Sequence, residues 1–126
     1  MTDKELIKKA DTVKENAYVP YSGFPVGAAL MSKDGTVFTG CNVENATFGA
    51  TICAERTAIT KAVSEGHKQF SRIAIISEAT DYCLPCGICR QVLMEFSPDI
   101  ELLCAKADGS YESYRLEELL PHAFRL

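Results

Sequence analysis

The sequence predicts an α/β fold: a three-layer αβα sandwich in which helices cover both faces of a mixed five-stranded sheet. Three observations carry that expectation. Apolar patterns succeed one another in the order αββαβαββα, which interleaves strands with helices able to cross a sheet. A length of 126 residues suits one domain spanning 1–126, and no linker, repeat or low-complexity stretch divides it. With 47% apolar and 24% charged residues, the chain has enough apolar side chain to build a core.

Each element has its own signal. From Asp3 to Asn16, Leu6, Ile7, Ala10 and Val13 recur at helical spacing, with Ala17 continuing the stripe and Thr2 or Asp3 able to cap the start. The loop YVPYSGFP carries two prolines and a glycine and leads into Val26 to Met31, an apolar run short enough for a buried strand. SKDG supplies turn chemistry before TVFTGCNVEN, so the two strands are expected to form a hairpin with Asn42 and Glu44 at its end. CAERTAITKAVSEG places Ala54, Ala58, Ile59, Ala62 and Val63 on one helical face and stops at Gly66. IAIIS (73–77) is a β-branched strand. CGICRQVLMEFSP reads as a helix with a buried stripe of Cys89, Val92, Leu93 and Phe96, ending before Pro98. IELLCA and YESYR are strands separated by an Asp108-Gly109 turn, and a last helix runs from Leu116 to Leu120.

Composition excludes several function classes. The net charge of −4 offers no basic field to attract a polyanion, which argues against a nucleic-acid partner. No apolar stretch approaches the roughly 18 to 20 residues that span a bilayer. The opening MTDKELIKKA lacks an apolar signal region, so a cytoplasmic address is expected. Six cysteines in such a chain point to metal binding rather than to a secreted disulfide framework.

Cys86 and Cys89 are three apart at the start of one expected helix, so both sulfurs face the same side. Cys53 opens another helix. Where two helix starts converge, both macrodipoles favour thiolate over thiol, the form a metal needs. Three protein ligands leave the fourth tetrahedral position of zinc open for water, which is the catalytic arrangement. Zinc brings the pKa of such a water to about 7, and Glu55, two residues after Cys53, is placed to take its proton. Three thiolates around one divalent cation leave an excess negative charge, which Arg56 can offset by hydrogen-bonding to sulfur.

CAER at 53–56 followed by PCGICRQ at 85–91 matches the zinc deaminase signature, a Cys or His, a Glu, then P-C-x-x-C. With FPVGAAL at 24–30, NVENA at 42–46 and the ending EELLPHAF, the chain resembles the small cytidine deaminases that use three cysteines, from about Tyr18 to Phe124. The resemblance implies one zinc per subunit on Cys53, Cys86 and Cys89, with Glu55 as proton shuttle in converting cytidine and 2'-deoxycytidine to uridine and 2'-deoxyuridine. It further implies substrate contacts from Phe24, Asn42, Glu44, Ala54 and Pro85, the sugar hydroxyls falling to Asn42 and Glu44. It also implies a homotetramer in which Ala46, Phe48 and Phe124 of a neighbouring subunit complete each pocket. Three positions depart from the common pattern: Phe48 where Tyr is frequent, His122 where a small residue is frequent, and Leu84 where Ser often precedes the P-C-G stretch.

Competing readings stay in view. Cys83, Cys86 and Cys89 begin an iron–sulfur pattern, but Leu93 stands where its fourth cysteine belongs. Cys83 in place of Cys53 would make a structural zinc site, which has no use for Glu55, Asn42 and Glu44. Cys41 and Cys104 read as buried strand residues, and His67 and His122 as surface. A cytosine-containing antibiotic is the nearest rival substrate. Nucleotides are disfavoured, because no glycine-rich phosphate cradle is visible and Glu44 would repel a phosphate.

Overall fold

A computed structural model describes residues 1–126. Its elements are α1 (Asp3–Lys14), β1 (Val26–Ser32), β2 (Val37–Cys41), α2 (Ala54–Ser64), β3 (Phe70–Ser77), α3 (Gly87–Phe96), β4 (Glu101–Ala105), β5 (Tyr111–Arg115) and α4 (Leu116–Leu119), with a single 3-10 turn at Phe48–Ala50. The five strands form one sheet in the order β2-β1-β3-β4-β5. Only β3 and β4 are parallel, and α3 makes the crossover between them. The other three pairings are antiparallel, so the sheet is mixed as expected.

Strand alternation sorts the core into two layers. On one face Leu6, Ile7 and Ala10 of α1 meet Ala29, Met31, Ala74, Ile76 and Leu103. On the other, Ala54, Ala58 and Ile59 of α2 and Leu93 of α3 meet Ala28, Leu30, Ile73, Ile75 and Leu102. Both faces of β1 are therefore covered, which is why its sequence reads as an unbroken apolar run. β5 is the exposed edge, and Glu112 and Arg115 along it discourage pairing with another chain.

Local chemistry sets the ends of the elements. Thr2 caps α1 in a capping box with Glu5, which decides between Thr2 and Asp3. α1 ends at Lys14, two residues before the expected Asn16, because the Asn16 and Ala17 amides turn to the carbonyls of Val13 and Lys14 three residues back. β2 stops at Cys41 rather than running to Asn45. Beyond it the backbone stays extended only through isolated bridges from Val43 to Tyr18 and Ile52. β3 begins at Phe70, three residues earlier than expected, since its first residues pair with Met31 and Ser32. α4 ends at Leu119, with Leu120 as its cap. α2 closes in a Schellman arrangement: the Gly66 amide bonds to Val63 and the His67 amide to Ala62, with Gly66 at φ +94°.

One close approach places the site. A Cβ on Gly40 would stand 2.5 Å from the Ala58 amide nitrogen and 2.7 Å from the Ala54 carbonyl oxygen. Only glycine lets α2 lie this tightly on β2, and that contact sets where the start of α2 projects.

Candidate active site

Cys53 is the N-cap of α2 and Cys86 the N-cap of α3. Both helices lie on the same side of the sheet, so two helix starts separated by 33 residues of sequence converge. The sulfurs of Cys53, Cys86 and Cys89 all lie within 4.8 Å of one another. Cys53 Sγ is 3.7 Å from Cys86 Sγ, and Cys86 Sγ is 3.3 Å from Cys89 Sγ. A tetrahedral ion with 2.3 Å bonds to sulfur needs an edge of roughly 3.8 Å, so this donor set fits zinc with little adjustment. All six cysteines are unpaired.

The surroundings favour a thiolate at Cys53. The Cys89 and Cys86 sulfurs and the Arg56 guanidinium hold the Cys53 thiol well below its usual range, against the opposing effect of burial. Arg56 Nη2 donates to Cys53 Sγ at 3.4 Å, and the Cys89 amide donates to Cys86 Sγ at 3.4 Å. The Arg56 contact is the one that charge balance asked of this residue. The hydrogen bond to the Cys53 sulfur and burial push the Cys89 thiol up.

Glu55 is 4% exposed, and burial pushes its carboxyl up to about 7, with the neighbouring Cys53 charge acting in the same direction. Glu55 opens onto a cavity of about 240 Å³ shared with Cys53, Cys86, Ala54, Phe24 and Asn42. Val26, Cys83 and Leu84 complete its walls, and no lysine or arginine lines it. A larger groove of about 660 Å³ runs along α1, but it gathers no cluster of metal-ligating groups.

Of the other expected site residues, Asn42 lines the cavity, whereas Glu44, Pro85, Ala46, Phe48 and Phe124 do not. The Asn42 side chain spans the entry loop, accepting from the Val26 amide at 2.9 Å and donating to the Phe24 carbonyl at 2.8 Å. Glu44 accepts from the amides of Tyr21 and Ser22 at 3.0 and 3.1 Å and from the Ser22 hydroxyl. Pro85 is buried, and its carbonyl accepts from Arg90 Nε at 2.8 Å, while Leu84 is the residue that reaches the cavity. Ala46 is exposed, Phe48 is 75% exposed and Phe124 is 68% exposed. Phe48 rests edge-on against Tyr21 at 5.7 Å.

Several roles were not legible. Arg90 ties the turn before α3 to the Leu119 carbonyl at 2.7 Å, and Ser22 bridges Glu44 to the Phe24 amide. The CRQ and PYSGF stretches contain both residues, but nothing in spacing shows which partners they meet. Met94 joins the buried side of α3, whereas Val92 and Phe96 are only partly buried. Cys83 lies outside the sulfur cluster, its amide bonded to the Ala105 carbonyl and its thiol pushed up to about 11 by burial. That leaves Cys53 as the third sulfur of the cluster that could hold an ion. Cys104 is buried as expected, while Cys41 is only half-buried at the end of β2. His122 is exposed; His67 instead packs on Phe38 and faces Asp34 at 3.3 Å.

Comparison with known proteins agrees with this geometry. The family model for the cytidine and deoxycytidylate deaminase zinc-binding region matches residues 1–104. The cytidine deaminase of Halalkalibacterium halodurans is 47% identical over 125 residues, covering 98% of this chain and 95% of its own. The probable cytidine deaminase of Dictyostelium discoideum is 48% identical over 128 residues, covering 98% and 86%. The crystal structure of cytidine deaminase from Burkholderia pseudomallei superposes with a TM-score of 0.95 at 45% identity, over 98% of this chain and 100% of that one. The Mycobacterium tuberculosis enzyme gives 0.86 at 40% identity, over the full length of both chains. Three thiols at two helix starts, a buried glutamate beside them and relatives that match almost end to end converge on one assignment: the chain belongs to the zinc-binding cytidine and deoxycytidylate deaminase family.

Proposed function

We propose that this chain hydrolyses the exocyclic amine of cytidine and 2'-deoxycytidine, giving uridine or 2'-deoxyuridine and ammonia, as a step of pyrimidine salvage. The observation that carries the reading is the sharing of one cavity by Cys53, Cys86 and Glu55, with Cys89 in sulfur contact behind them. Cys53, Cys86 and Cys89 would hold zinc, which lowers the pKa of a water at its open position and so supplies the nucleophile at neutral pH.

Glu55 takes the proton that water releases as its oxygen bonds to carbon 4 of the pyrimidine, and passes it to ring nitrogen 3. It then carries the second proton to the amino nitrogen as the carbon–nitrogen bond breaks and ammonia departs. One buried carboxyl serves both transfers because it stays beside the ring and the attacking water, accepting a proton and then returning it. Arg56, on Cys53 Sγ, draws negative charge off the sulfurs. The free amide of Ala54, in the first turn of α2 where no intrahelical acceptor exists, is available to a substrate carbonyl. Phe24 forms an apolar wall for the base and ribose, and Glu44 accepts from a sugar hydroxyl. Pro85 shapes the turn that presents the Leu84 backbone to the amine side of the ring.

The pocket is incomplete in one subunit. Its volume of about 240 Å³ falls below the roughly 300 to 1,000 Å³ of ordinary ligand sites. Exposed Phe48 and Phe124 supply the apolar surface with which a neighbouring copy closes it, in a homotetramer. No helix is long and apolar enough to cross a membrane. Six unpaired cysteines suit the reducing cytoplasm.

Ultraviolet absorbance following cytidine loss, with and without a zinc chelator, tests the function. Turnover that a chelator abolishes and added zinc restores is the expected result. Chelator-resistant deamination would overturn the metal's role, and no deamination by zinc-loaded protein would overturn the activity.

A further inference from the structure

Residues 18–25 form an irregular segment leading into β1, and its shape depends on side chains of the facing stretch 42–44. Within it Ser22 is exposed and belongs to no helix or strand, yet its hydroxyl makes two bonds. Its oxygen accepts from the Phe24 amide at 3.1 Å. The amide can only donate, so the single hydroxyl proton is committed to Glu44 Oε2, as the contact between those two oxygens requires.

Counting acceptor sites shows what this does to Glu44. A carboxylate offers about four lone-pair sites. The Tyr21 and Ser22 amides take two on Oε1 and the Ser22 hydroxyl takes one on Oε2, which leaves a single site on Oε2. Without Ser22, Oε2 would be held only through the other end of the carboxyl group and would be solvated. With Ser22 in place the carboxylate is fixed in rotation before any ligand arrives, and the entropy of ordering a glutamate side chain is already spent.

We infer that Ser22 is a positioning residue for sugar recognition: its hydroxyl presets the Glu44 carboxylate so that one acceptor site remains for one substrate hydroxyl. This rests on the reading of Glu44 as a sugar acceptor. Phe24 keeps a separate anchor, from Asn42 Nδ2 to its carbonyl at 2.8 Å. Loss of the Ser22 hydroxyl therefore frees the Glu44 carboxylate and removes one of two bonds on the Phe24 backbone, and a substrate that keeps the base but lacks the sugar hydroxyl separates the two effects. Because the sugar is bound alike before and during the chemical step, the effect belongs in KM and not in kcat.

The test uses the zinc-loaded full chain with 2'-deoxycytidine and 2',3'-dideoxycytidine, which differ by one hydroxyl, in the wild type, Ser22→Ala, Ser22→Thr and Glu44→Gln. Expected for Ser22→Ala is a KM for deoxycytidine raised about tenfold, as for loss of support to a charged acceptor, with kcat within about twofold. Its KM for dideoxycytidine stays near wild type, so discrimination between the two substrates shrinks. Ser22→Thr, which keeps the hydroxyl, restores discrimination. A KM that rises equally for both substrates, a fall in kcat alone, or wild-type behaviour of Ser22→Ala would each overturn the inference. Glu44→Gln separates the two levels. If it erases discrimination and Ser22→Ala does not, Ser22 alone is misassigned; if it leaves discrimination intact, the sugar role of Glu44 falls and the inference falls with it.

Discussion

Replacing Glu55 by glutamine moves activity and stability in opposite directions. Glutamine keeps the shape but cannot ionise, so it removes the proton carrier and with it about 10²- to 10⁴-fold in turnover. Stability responds because burial raises the carboxyl from 4.5 to about 7 on folding. Between those values the folded chain binds more protons than the unfolded one, so stability falls as pH rises through the window. The penalty is nearly absent below pH 4.5 and complete above pH 7. At the 1.36 kcal/mol that one pKa unit represents, it reaches about 3 kcal/mol. Urea unfolding of both proteins at several pH values, reduced and with chelator present so that no cation holds the carboxyl ionised, isolates this contribution. The glutamine variant should gain on the wild type by about 2 kcal/mol or more between pH 5 and pH 8, because the other titrating groups are common to both. Parallel stability curves would refute the burial argument, and wild-type turnover in the zinc-loaded variant would refute the proton shuttle.

Cys53→Ala should lose zinc, measured by metal analysis after dialysis, whereas Cys83→Ala should keep one zinc per subunit, because the Cys83 sulfur lies outside the cluster. Full zinc in the first variant would point to Cys83 as ligand. A 5'-phosphate on the substrate should abolish turnover: no lysine or arginine lines the cavity, and Ser22 hydrogen bonding holds the nearby Glu44 carboxyl below its usual range and hence charged. Efficient deamination of cytidine monophosphate would overturn the nucleoside assignment. Phe124→Ala should weaken the assembly in analytical ultracentrifugation and raise KM, since Phe124 is 68% exposed in the isolated subunit. An intact tetramer with unchanged KM would remove Phe124 from the interface.

Periodicity, turn chemistry and motif spacing settled, without coordinates, the element order and the sheet of five strands. They also singled out the thiol pair Cys86 and Cys89 and the glutamate Glu55. These features are local: each depends on residues within a turn or two of helix, or on alternation along one strand. What followed Cys41 was harder, because the bridges that keep Val43 extended come from Tyr18 and Ile52, which no local pattern connects. The choice of Cys53 over Cys83 as third ligand was likewise tertiary. It depends on α2 lying close enough to β2, through Gly40, to bring its N-cap Cys53 beside the start of α3. The bond network that turns Ser22, Asn42 and Glu44 into one frame around Phe24 belongs to the same class. A short-range code specifies what each segment can offer. Which groups meet across 20 or 30 residues is decided only when burial of two apolar faces brings the segments together.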